Sequence, residues 1–211
     1  MFFFVFFFFF VFFLLFFRSY PCVGRLRILT ESGRALSKVG RHSEAALILQ
    51  AAGLFEEAAS QHASLIARAL IRGAADAPII GRAAELQNKR PSPMLGLLMS
   101  ANELVSQVLA GNLAAALSVA EQPPLSRLLP GSPSSLQSCV DEASMLEGAA
   151  SLSLGPVLSA YASALARLYG ARPSPALKAR MQLLVSMAGM LQNRLPSDLF
   201  AKIISLSSSM I

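Results

Sequence analysis

The chain has no tryptophan, two histidines, two cysteines and only 14% charged residues over 211 positions. Each shortage excludes something. Two histidines, His42 and His62, leave little room for a serine–histidine–aspartate arrangement. Two cysteines 117 positions apart, Cys22 and Cys139, make no disulfide scaffold and show no paired spacing for zinc. A reducing compartment suits such usage. Aromatic residues are scarce over most of the chain: twelve of the 14 phenylalanines fall in the first 17 residues. The remainder is rich in Ala, Leu and Ser, which favours helices packed through small side chains over an all-β fold.

The basic excess is modest. Eighteen Lys and Arg face 12 Asp and Glu, for a formal charge of +6. The densest stretch, 18–41, carries six basic residues and one acid. No concentrated stripe with interleaved base-reading side chains is present, so no nucleic-acid partner is expected.

Residues 1–17, MFFFVFFFFFVFFLLFF, form an uninterrupted apolar run. It meets the lower length limit for a membrane span. No basic residue precedes it and no small-residue cleavage site follows, as a secretory signal would require. Arg18, Arg25 and Arg27 come after it, so an inserted anchor would leave the rest of the chain in the cytosol. Three readings stay open: a translated thymidine-rich tract upstream of the true start, a real anchor, or a signal sequence.

Beyond this run, Gly and Pro divide the chain at near-regular intervals. The spacing predicts a short helix over 31–39, closed at Gly40, and a second over 44–52, capped by Ser43 and stopped by a left-handed Gly53. A longer helix over 55–72 carries Phe55, Ala59, His62, Ile66 and Ala69 on one face, with Glu56 and Glu57 in its first turn. Further helices are expected from the Asp76 cap to about 88, over 94–109, and over 113–121 with Asn112 as cap. Residues 122–138 carry four Pro and five Ser and read as a linker. Helices resume over 140–146 and from Pro156 to 169. Two apolar stripes end the chain: Leu177, Met181, Leu184, Ala188 and Leu191, then Leu199, Ile203, Leu206 and Met210. The fold class expected is all-α: α-solenoid helical hairpins over 28–121, the 122–138 linker, and a partial helical bundle over 139–211 that looks cut short.

No residue is assigned to catalysis, to a cofactor or to a metal. His42 in a turn and His62 on an inner face read as structural imidazoles. Glu56–Glu57 and Asp141–Glu142 are sequence neighbours, which do not face each other on a helix, and both pairs suit first helical turns. Gly40, Gly53, Gly73 and Gly111 are isolated helix stops rather than a phosphate-binding loop. Met181, Met187 and Met190 share one helix as packing residues. The chain is therefore not expected to be an enzyme.

Three segments resemble one family. Ala35-Leu36-Ser37-Lys38 before Gly40, with Ala45-Ala46-Leu47 and Ala52-Gly53, is similar to solenoid helices of the outer-coat subunit of COPII vesicles, the Sec thirty-one family. Ala101-Asn102-Glu103-Leu104 through Ala110-Gly111-Asn112-Leu113-Ala114-Ala115-Ala116-Leu117 resembles that family's closing solenoid pair. Leu177 to Leu191, then Leu195-Pro196 to Met210, resembles the first helices of its C-terminal domain, shared with the steroid receptor RNA activator protein. The resemblance implies a non-enzymatic coat scaffold in endoplasmic-reticulum-to-Golgi vesicle transport. It would act on the cytoplasmic face of the membrane, peripheral or anchored through 1–17, and assemble with other coat subunits. The family's propeller and its Trp-bearing Pro-rich segment have no counterpart here, which removes the basis for direct GTPase stimulation. A tetratricopeptide-like adaptor and a small membrane-anchored helical protein are the alternatives.

Overall fold

The computed structural model describes residues 22–210. The apolar segment 1–17 lies outside the described residues, as does Ile211. Ten α-helices account for most of the described residues: α1 Cys22–Lys38, α2 His42–Ala51, α3 Phe55–Arg72, α4 Ala77–Lys89, α5 Pro93–Leu109, α6 Leu113–Glu121, α7 Leu136–Met145, α8 Gly148–Ala171, α9 Pro175–Met190 and α10 Ser197–Ser208. Three single-turn 3-10 segments join them, and no strand occurs among the described residues. The all-α class is as expected.

The glycine stops fall where the sequence puts them. Gly40, Gly53, Gly73 and Gly111 have φ of 79°, 77°, 143° and 81°. Only glycine enters that region without a β-carbon penalty, so each ends a helix and turns the chain.

The caps are less regular. α2 starts at His42 with Arg41, not Ser43, in the cap position. Asp76 and Asn112 stand at the caps of α4 and α6, yet neither side chain makes a capping bond. At α5, Ser92 Oγ accepts from the Leu95 N–H at 3.5 Å. α1 already occupies 22–30, upstream of the start expected at Glu31, and that stretch contains no helix breaker beyond Gly24. α7 begins at Leu136, which places Asp141 and Glu142 mid-helix instead of in a first turn.

By Cα proximity the described residues form two compact units, 22–61 and 62–210, parting within α3. In the first, α1 packs on α2. Gly33 makes this possible, since a β-carbon there would lie 2.7 Å from Leu49 Cγ. Arg34 on α1 reaches the start of α3, with two bonds to the Glu57 carboxylate at 2.7 and 2.9 Å. Ala45, Ala46, Leu49, Ala58 and Ala59 are buried. His42, expected in an open turn, is 9% exposed and its Nδ1 lies 2.7 Å from Gln61 Oε1.

The second unit is arranged around α8, which packs against α5, α6, α9 and α10. A solenoid repeat contacts mainly its sequence neighbours. Here α8 meets α5 and α6 across roughly fifty residues of chain, so this unit is centred on one helix rather than stacked pair by pair. Val157, Leu158, Tyr161, Ala162, Ala164 and Leu165 of α8 are all buried. Pro156, expected to start this helix, sits inside it. Proline removes the N–H that would bond the Leu152 carbonyl, and Leu152 lies on a solvent-facing side, 56% exposed.

The break expected at 122–138 is not where the units part. Two 3-10 turns, Leu125–Arg127 and Pro133–Ser135, occupy this stretch. Leu125, Leu128 and Leu129 are 0%, 4% and 3% exposed, and the first turn packs on α5, α6 and α7. Burying a leucine is worth about 1.5–3 kcal/mol relative to exposure, enough for three of them to hold a Pro-rich segment against a core. Ser132 and Ser135 close the second turn: the Ser132 N–H donates to Ser135 Oγ at 3.2 Å, and that hydroxyl donates to the Ser132 carbonyl at 2.9 Å.

Candidate functional site

The polar side chains able to carry chemistry are dispersed along the described residues. Glu56 and Glu57 stand in the first turn of α3, as expected, and Glu57 is held by Arg34, which lowers its carboxyl below the usual range. Met181 and Met187 are 1% and 0% exposed in the core, whereas Met190 is 57% exposed. No group of three or more His, Cys, Asp or Glu that could hold a metal occurs among the described residues.

The richest gathering of titratable groups lies where α6, α7, α8 and α9 supply Glu121, Cys139, Tyr161 and Arg180. The Arg180 guanidinium donates to Glu121 Oε1 and stands beside the Tyr161 ring. Tyr161 is 3% exposed and Cys139 1% exposed. Burial raises both the Tyr161 phenol and the Cys139 thiol above their ordinary values. Both groups are thus neutral at physiological pH, and neither is an activated nucleophile. The arrangement does structural work: one guanidinium satisfies an acid at the end of α6 and faces a buried phenol.

Other polar groups bind backbone. Asn102, 5% exposed, accepts from the Ala75 N–H at 2.7 Å and fixes the α3–α4 connection onto α5. The Arg167 guanidinium donates to the Val108 carbonyl at 3.1 Å, near the C-terminal end of α5, where helix dipoles favour a cation. The sequence offers no local signal for either, since both join positions far apart in the chain.

Between α9 and the end of α10, Lys178, Met181, Gln182, Ser207, Ser208 and Met210 line a shallow cavity of about 160 Å³. Small-molecule sites usually run from about 300 to 1,000 Å³, so this one is too small for an ordinary organic substrate.

What remains accessible is surface. Along the turn from α5 into α6, Leu109 is 66% exposed, and Ala110, Gly111, Ala114, Ala115 and Ser118 are exposed with it. In the first unit, Val39 and Leu47 are 71% and 47% exposed. Each edge presents small or aliphatic side chains at a helix end. α8 is long and apolar enough to cross a membrane, but 56% of its most apolar window is buried among the other helices, as in a core helix.

No family model matches the chain, and no curated protein sequence matches it.

Proposed function

We propose that the chain is a non-enzymatic helical scaffold that works through protein–protein contacts, of the coat type that serves endoplasmic-reticulum-to-Golgi transport. One observation carries the scaffold reading: the buried Cys139 and Tyr161 are held neutral, while the accessible turn at Leu109–Ser118 offers small and aliphatic side chains. Small residues let a second helix approach closely, and many weak contacts of this kind add up in a lattice. The coat assignment rests on the ordered resemblance of three segments to the Sec thirty-one family. The packing of 62–210 around α8 departs from a stacked solenoid, so the resemblance supports the scaffold role more strongly than a particular place in the lattice.

A tetratricopeptide-like adaptor would be expected to line its inner helices with polar clamps; the buried positions of α3 and α5 are aliphatic apart from His62 and Asn102, and the Asn102 side chain is taken up by the Ala75 N–H. The membrane-anchored reading is favoured by one feature, the 17-residue apolar run. Capture of partners by the tagged full chain from cells distinguishes the three. Recovery of COPII subunits over a tetratricopeptide control is the expected result. Chaperone or cilium-transport partners would support the adaptor. Retention of the protein in membranes after carbonate washing, with no coat subunits captured, would support the anchored protein.

A further inference from the structure

Among the described residues, His62 is the side chain with two buried polar atoms and no hydrogen-bond partner for either, where His42 and Gln107 each leave one unmet. It is 2% exposed, and neither Nδ1 nor Nε2 reaches a hydrogen-bond partner among the described residues. A neutral imidazole carries one donor and one acceptor, and leaving both unmet in an apolar site is costly. Protonation makes it worse, adding a charge and a second donor with nothing to receive them. The other buried histidine differs in degree: His42 Nδ1 has Gln61 as its partner and only its Nε2 is unmet.

The surroundings of His62 offer nothing to offset a positive charge. One turn away on α3 stand Ala58, Ala59, Leu65 and Ile66, none of which titrates. From α4 comes Arg82, whose like charge opposes protonation; no carboxylate acts on the ring among the described residues.

We propose that His62 is an acid release: an imidazole buried without partners that must stay neutral for the fold around it to hold, and that destabilises that fold when protonated. Burial first, and Arg82 second, hold its proton affinity below the ordinary value of 6.5. The sign follows. Above about pH 6.5 the ring is neutral in both folded and unfolded chains, and folding is unaffected. As pH falls below that value, the unfolded chain takes up a proton that the folded one refuses, so stability is lost. Histidine is the side chain whose ordinary charge change falls in this mildly acidic range.

The test is urea unfolding of the full chain in a mild non-ionic detergent between pH 7.5 and pH 5.2, above the range where carboxylates titrate. The folding equilibrium constant should fall up to about tenfold per pH unit below about 6.5. His62→Leu should flatten this dependence, while His42→Gln should retain it. An equal slope in the parent and His62→Leu proteins, or a flat parent, would overturn the proposal. If His62→Leu does not fold, ring-labelled NMR of the parent decides. The folded-state His62 resonance should stay that of neutral imidazole through pH 6, and a folded-state midpoint near 6.5 or above would sink the idea.

Discussion

The two compact units hold themselves together by different means. In 22–61 the elements meet through a glycine fit and an exposed ion pair: Gly33 against Leu49 and Arg34 with Glu57. In 62–210 a buried helix collects four others, and large side chains such as Leu98, Leu104, Leu158, Leu165, Met181 and Leu184 fill the centre. Shape decides the first, buried volume the second. Substitutions that add atoms should therefore hurt the first unit most, and substitutions that remove atoms the second.

The largest expected effect is Leu158→Ala. This side chain is 0% exposed on the helix that the second unit is built around, and such truncations cost about 2–5 kcal/mol. Chemical denaturation should show it, and the loss should exceed that of any single truncation in α1 or α2.

Next comes Gly33→Val. The first added carbon would lie 2.7 Å from Leu49 Cγ and 2.8 Å from Cδ2, and overpacking of this kind costs roughly 1–3 kcal/mol. Pairing it with Leu49→Ala should recover part of the loss, because the clash and the truncated atoms coincide. Gly53→Val sharpens the point. Nothing lies within 4 Å of its absent β-carbon, so only the φ of 77° penalises the change, by about 1–2 kcal/mol, and Leu49→Ala should recover none of it.

The smallest effect belongs to the ion pairs. Arg27 and Glu31 are 81% and 65% exposed, and pairs held in water like this add little to stability, less still in salt. Arg27→Ala should shift the unfolding midpoint barely beyond measurement error.

The same contrast marks what the sequence makes legible. Glycine stops are local, because a left-handed turn is a property of one residue; Gly40, Gly53, Gly73 and Gly111 all occupy it. The stripes of α9 and α10 are local too, and Met181, Leu184, Ala188, Leu199 and Ile203 are buried as their spacing implies. The packing of 122–138 is not local. Its Pro and Ser content describes the backbone correctly as irregular, but irregular backbone can still be held by buried side chains. The spacing of Leu125, Leu128 and Leu129 was the available signal, a one-turn apolar cluster inside a Pro-rich segment. The role of α8 was hidden for a related reason. A helix that is apolar on most sides shows no stripe, and Pro156 masks its first two turns. Asn102 and Arg167, which tie distant backbone together, leave no trace in local pattern. Limited proteolysis separates the two accounts of 122–138: resistance there is expected, with Leu128 and Leu129 amides protected from exchange, whereas early cleavage at this stretch would return it to a linker.

The scaffold reading depends most directly on the exposed edge where α5 turns into α6. A bulky charge there should block close helix approach without touching the core. The decisive measurement is capture of coat subunits by the full chain carrying Ala115→Arg, beside the parent protein and with helical content monitored by circular dichroism. Loss of capture with an unchanged spectrum is the result this account predicts. Capture equal to that of the parent would contradict it.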